Sequence, residues 1–172
     1  EWGLFCPVMR LHGVRDPRVQ VQTKSGEARL NSGADNEIWS YGPECEAIFI
    51  RLIAMRETMR PYTRELMRQA HETGAPVIRT LFFEFPDDPA AWDRKDEYLY
   101  GPDVLVAPVA EAGARQREVY LPAGASWTDL ADGTSYPGGQ TLSVEAPLHR
   151  IPAFLRNGAH AEWVGALEPK AE

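Results

Sequence analysis

The stretch Gln69-Ala70-His71-Glu72-Thr73-Gly74-Ala75-Pro76-Val77-Ile78 decides the fold, because the hydrophobic period changes across it. Upstream, Ile48, Leu52, Met55, Met59, Tyr62, Leu66 and Ala70 recur at steps of three or four. That spacing puts them on one face and predicts a helix over 43–73. Pro43 suits the first turn, where its missing N–H has no partner to lose. Gly74 and Pro76 end the helix, and Pro61 predicts a kink or a break into two helices. Downstream, apolar residues alternate or form short runs, predicting strands over 77–85, 104–109, 118–121, 126–129, 141–145 and 151–155. Turn residues separate them at Pro86-Asp87-Asp88-Pro89, Ala123-Gly124, Asp132-Gly133 and Gly138-Gly139. Ten of the 14 prolines lie beyond Gly74, so the punctuation is concentrated where the strands are. Short strands at turn-marked intervals predict an antiparallel sandwich.

Working back from Pro43, residues 13–41 read as a long polar loop, and 3–9 as a short buried strand. One strand, one loop and one long helix cannot bury their own apolar faces. The chain also opens inside an apolar run, Glu1-Trp2-Gly3-Leu4-Phe5, without a signal-peptide pattern. Both features lead us to expect a piece of a longer polypeptide. A charged fraction of 25% and a hydrophobic fraction of 44% fit a folded protein rather than a disordered one. The net charge of −7, with basic residues scattered, argues against nucleic acid or an anionic membrane as partner. Cys6 and Cys45 fit neither a disulfide framework nor a zinc pattern and read as small buried apolar residues.

Six blocks, in order, carry a resemblance. They are Phe5-Cys6-Pro7-Val8-Met9-Arg10-Leu11-His12-Gly13; Arg60-Pro61-Tyr62 with Gly74-Ala75-Pro76-Val77-Ile78-Arg79; Phe83-Glu84-Phe85-Pro86-Asp87-Asp88; Tyr98-Leu99-Tyr100-Gly101-Pro102-Asp103-Val104-Leu105-Val106-Ala107-Pro108-Val109; Val119-Tyr120-Leu121-Pro122 with Trp127; and Ile151-Pro152-Ala153-Phe154-Leu155-Arg156-Asn157-Gly158. In this order and spacing the chain resembles glycoside hydrolase family 31, the α-glucosidase and α-xylosidase family. The resemblance implies an α/β fragment, the last strand–helix unit of a (β/α)8 barrel, over 1–75. An all-β antiparallel sandwich would follow over 76–172. The implied activity is that of a retaining, exo-acting α-glycosidase, acting on an α-glucoside or α-xyloside without a cofactor. The remaining catalytic barrel and the carbohydrate substrate are the implied partners, and a homo-oligomer stays open. The alternative is a non-catalytic carbohydrate-binding or structural sandwich module.

Both catalytic aspartates of that family lie upstream of the matching segment, so no catalytic residue is expected in this chain, and the chain alone is expected to be inactive. Retaining chemistry needs two carboxyl groups about 5 Å apart. Asp87 and Asp88, in a turn, and Asp93 and Asp96, in a polar linker, read instead as solvated surface groups. The resemblance makes His12 a hydrogen-bond donor to the sugar in the −1 subsite, with Gly13 allowing close backbone approach. Arg10, two residues earlier, points the same way on an extended chain. It either orients carboxylates or sugar hydroxyls, or pairs with an acid of the barrel. Phe5 and Trp2 either form a sugar-stacking platform or pack in the core. Arg79 and Glu84 read as an ion pair, Trp127 and Tyr120 as core, and His71, His149 and His160 as solvated or packing residues. After His12 the chain departs from the usual compact motif, with Val14-Arg15-Asp16-Pro17 and a polar insertion before Trp39.

Overall fold

The computed structural model describes residues 2–11, 25 and 37–169. The helical pattern forms two helices, α1 over Pro43–Thr58 and α2 over Arg60–Thr73. Pro61 has no N–H to give the carbonyl four residues back, and the break falls at Met59 beside it. Pro43 sits in the first turn of α1. Gly74 caps α2 in the left-handed region, φ 77°, and its N–H reaches the Ala70 carbonyl at 3.0 Å. The predicted face is the buried one: Ile48, Leu52, Met55, Met59 and Leu66 are buried, while Tyr62 and Ala70 pack at the margin.

Eight strands follow: β1 Ile78–Arg79, β2 Tyr98–Tyr100, β3 Val104–Val106, β4 Gln116–Leu121, β5 Ser126–Asp129, β6 Ser135–Pro137, β7 Gln140–Glu145 and β8 Ala153–Arg156. Six form one sheet in the order β1-β2-β3-β8-β5-β6, and β4 pairs with β7. Every pairing is antiparallel, as the turn-punctuated pattern predicts. Among the described residues between 100 and 160 there is no α-helix.

Period-two alternation sorts the central strands between two cores. Tyr100, Val104 and Leu155 share one face in register and pack against α1, α2 and the N-terminal turn. Leu99, Leu105 and Phe154 share the other, joined by Trp127 from β5. That second cluster also takes Val119, Leu121 and Val144 from β4 and β7. Trp127 is buried and Tyr120 nearly so, the core roles read from the sequence. Gly101, with φ 64°, turns the chain between β2 and β3 directly over α2. A Cβ there would overlap the Tyr62 hydroxyl and the Leu66 methyls.

Several expected elements are different. Residues 3–9 do not form a strand: Trp2–Phe5 is a 3-10 turn and the chain then bends. A strand needs a ladder partner, and here the carbonyls of this segment go instead to the Arg56 side chain. The strand expected over 77–85 stops at Arg79, and Leu81–Glu84 forms a helical turn, α3. Leu81 and Phe85, four residues apart, are both buried, whereas Phe82 and Phe83 between them are exposed; that is helical spacing rather than alternation. A second short turn, α4, covers Pro89–Trp92. The strand expected over 104–109 ends before Pro108, and that over 151–155 begins after Pro152, which cannot donate to a ladder. Strands β2 and β6 lie outside the predicted set. Cys6 and Cys45 are free and half-buried rather than buried. The polar loop over 13–41 lies mostly outside the described residues.

Candidate functional site

The sequence places the candidate substrate contacts in the N-terminal segment, and the structure shows what holds its described part. Arg56 of α1 reaches across it. Its Nη1 donates to the carbonyls of Gly3 at 3.2 Å and Leu4 at 2.8 Å, and also to that of Cys6; its Nη2 donates to Pro7 at 2.8 Å. The hydroxyl of Tyr98, on β2, donates to the Phe5 carbonyl at 3.0 Å. The Phe5 ring is fully buried, edge-on to Tyr100 with centroids 6.4 Å apart. Of the two readings for Phe5, packing is therefore the one its surroundings support. Trp2 is 60% exposed. Arg10 is exposed at the end of this segment. His12 lies outside the described residues.

The buried and half-buried carboxylates of the described residues serve as structural ties. Glu84 bridges Arg79 at 2.5 Å and Arg156 at 3.2 Å, so the expected Arg79–Glu84 pair exists, made by the α3 turn rather than by a strand. Asp129 receives Arg150 at 2.6 Å and the Ala131 N–H at 2.8 Å. Asp88 corrects the solvated reading: it is only 9% exposed. It accepts from the Tyr120 hydroxyl at 2.7 Å and from the N–H groups of Ala123 at 2.8 Å and Ala90 at 3.0 Å. Burial alone would raise its pKa, but these hydrogen bonds outweigh burial and hold it below the ordinary carboxyl value. Asp96 pairs with Arg117 at 2.7 Å, while Asp87 and Asp93 are exposed, as expected. Among the described residues no group of His, Cys, Asp and Glu could hold a metal ion. No described helix is long and apolar enough to cross a membrane. His160, read as a solvated or packing residue, stacks on Trp163 with centroids 3.9 Å apart, and its Nε2 lies 3.3 Å from Asp103.

Glu97 is a residue that sequence reasoning missed. It sits in the segment read as a polar linker, yet only 5% of it is exposed. Its Oε1 accepts the Tyr120 N–H at 2.9 Å and lies 3.6 Å from Arg117, while its Oε2 is buried without a partner. Burial pushes its pKa up to about 7 against the pull of the Tyr120 N–H and Arg117. Continuing the alternation of β2 backwards from Leu99 would have put Glu97 on an inward face. Glu97 also lines a cavity of about 880 Å³ at the β1 edge of the large sheet, together with Trp2, Phe82, Trp92, Arg94 and Lys95.

The fold defines a small antiparallel β-domain with a helical cover. Its family is also clear: residues 74–159, half of the chain, match the glycosyl hydrolase family 31 C-terminal domain, and the chain belongs to that family. An α-xylosidase structure from a soil metagenome, complexed with xylose, is 49% identical, with a TM-score of 0.88 over 95% of this chain and 25% of that one. The sulfoquinovosidase of Agrobacterium fabrum is 36% identical over 91% of this chain and 21% of its own length. The α-xylosidase of Saccharolobus solfataricus is 29% identical over all of this chain and 21% of its own length. The chain thus spans about a fifth of the length of these curated relatives.

Proposed function

We propose that this chain is the C-terminal part of a retaining, exo-acting α-glycosidase that hydrolyses an α-glucoside or α-xyloside. Residues 1–75 would be the last unit of its (β/α)8 barrel and 76–172 its β-sandwich. The observation that carries this reading is the likeness to the metagenomic α-xylosidase, which runs through nearly the whole chain, helices included. The helices support the barrel part. One face of α1 covers the core described above, but Ala47, Ile50, Ile53 and Ala54 form a second apolar stripe, and all four are exposed. A helix that is apolar on both sides suits a position between two packed neighbours.

The catalytic pair would lie in the preceding barrel. His12 and Arg10 would reach its pocket from the end of the segment that Arg56 fastens to α1, His12 by donating to a sugar hydroxyl. Trp2 would be a rim aromatic, while Phe5 packs in the core against Tyr100. The test is hydrolysis of aryl α-xyloside and aryl α-glucoside by the full-length protein and by the 172-residue chain. The full-length protein is expected to cleave at least one of them with retention of anomeric configuration, and the isolated chain neither. Inversion, or no turnover of either by the full-length protein, would contradict the proposal.

A further inference from the structure

The carbonyls of five consecutive residues, Gly3, Leu4, Phe5, Cys6 and Pro7, are all taken by two side chains from elsewhere in the chain. Arg56 of α1 bonds four of them, and the Tyr98 hydroxyl of β2 bonds the fifth, that of Phe5, at 3.0 Å. The segment adds little of its own: the Cys6 N–H reaches the Gly3 carbonyl at 3.3 Å, and Pro7 has no N–H to give. Burial of Leu4 and Phe5 places the segment against the core but does not aim its backbone, because apolar contact is non-directional. Hydrogen bonds are directional, and a guanidinium holds its donors in one rigid plane. Burial also raises the pKa of Tyr98, so its hydroxyl stays protonated and keeps donating. Held by a helix on one side and a sheet on the other, the chain arrives at Arg10, three residues past Pro7, along a defined path.

From this arrangement we infer that Arg56 and Tyr98 are positioning residues for the proposed hydrolysis: they fix the course of residues 3–7, and through it the place of Arg10 in the substrate pocket. The inference rests on the glycosidase reading, with Arg10 as a substrate contact. Neither residue acts on the sugar itself; each acts through the segment it holds. A group that stabilises a transition state must sit within about 0.5 Å of its productive place, and a misplacement of about 1 Å lowers the rate by about a hundredfold. A segment without a ladder needs outside donors to meet that tolerance. Tyr98 stands on the large sheet rather than on α1, so the sheet takes part in shaping the pocket.

Steady-state kinetics of the full-length protein on the aryl α-glycoside it cleaves best test this, with the Tm of each sample measured alongside. Tyr98→Phe removes one hydroxyl and keeps the ring; kcat/KM should fall by about three- to tenfold, carried by kcat with KM little changed. Arg56→Lys keeps the charge but lacks the planar fork, and should lose about tenfold or more. Tyr120→Phe is the matched control: it removes a hydroxyl bonded to buried Asp88 at 2.7 Å in the other core, and should lower Tm while kcat/KM per folded molecule stays at the wild-type value. Arg10→Met should lose at least as much activity as Tyr98→Phe. Adding Tyr98→Phe to it should lower kcat/KM by less than about twofold more, because a residue that acts through Arg10 then has nothing to act on. Wild-type kcat/KM per folded molecule in either Tyr98→Phe or Arg56→Lys, or losses that add fully in the double variant, would overturn the inference and leave the glycosidase reading standing. No hydrolysis by the full-length wild type would remove that reading and this inference with it.

Discussion

The Nη2 of Arg56 donates to the carbonyl of Pro7 at 2.8 Å, tying α1 to a segment 49 residues earlier in the chain. With the three other carbonyls it bonds, this one guanidinium replaces the ladder that residues 3–9 lack. It therefore sets where the chain leads on toward Arg10.

Arg56→Met keeps much of the apolar stem and removes the donors, leaving several half-buried carbonyls short of partners. Hydrogen bonds from a charged group contribute about 1.5–3 kcal/mol, so a loss of stability of about 2–4 kcal/mol is expected by urea denaturation. Amide exchange should rise first in residues 2–9. Wild-type stability in Arg56→Met would show that the clamp does not hold this segment.

Glu97 predicts an unusual pH dependence. Its folded-state pKa is raised from the ordinary value of 4.5 to about 7. The folded state thus binds the extra proton between those values, and stability falls as pH rises from about 4.5 to 7, then levels off. Glu97→Gln should remove that slope and stabilise the protein at pH 8 by about 1–3 kcal/mol relative to wild type, with little effect at pH 4.5. Thermal melts across that range read the difference. Parallel wild-type and variant curves would show that Glu97 stays charged throughout.

Gly101→Ala tests the fit of the β2–β3 turn over α2. The new methyl would need a left-handed backbone and would collide with Tyr62 and Leu66. A loss of about 2–4 kcal/mol is expected by denaturant titration. Gly124→Ala has a similar positive φ but open space around it, so it should cost only the backbone part, about 1 kcal/mol. Equal losses in the two variants would mean that the contact with α2 is loose.

What was legible in the sequence follows from how local each cause is. Pro61, Gly74 and the three-four spacing act within a few residues, and the two helices and their buried face were readable from them. Flanking turn residues together with the inward Trp127 marked β5 to the residue, and branched apolar residues between turns marked β4 and β7 nearly so. The sequence Leu81-Phe82-Phe83-Glu84-Phe85 satisfies both a strand and a turn, and the turn buries Leu81 and Phe85 together while placing Glu84 against Arg79 and Arg156. The Arg56 clamp and the Asp88–Tyr120 bond join residues far apart in sequence, and nothing in their neighbourhoods announces them; the burial of Glu97 was signalled only by the alternation leading into β2. The candidate site was legible only through the family blocks, since the pocket proposed for His12 and Arg10 would be completed by other parts of the protein.

The proposed role of His12 is tested by a paired measurement on His12→Ala in the full-length protein: kcat/KM for the aryl α-glycoside it cleaves best, and the Tm of the same sample. A contact that strengthens as the sugar distorts toward its transition state is worth about 3 kcal/mol, a roughly hundredfold effect on rate. A loss of about that size is expected, with a Tm close to wild type. Wild-type kcat/KM per folded molecule, with a Tm several degrees lower, would contradict it and make His12 a structural residue.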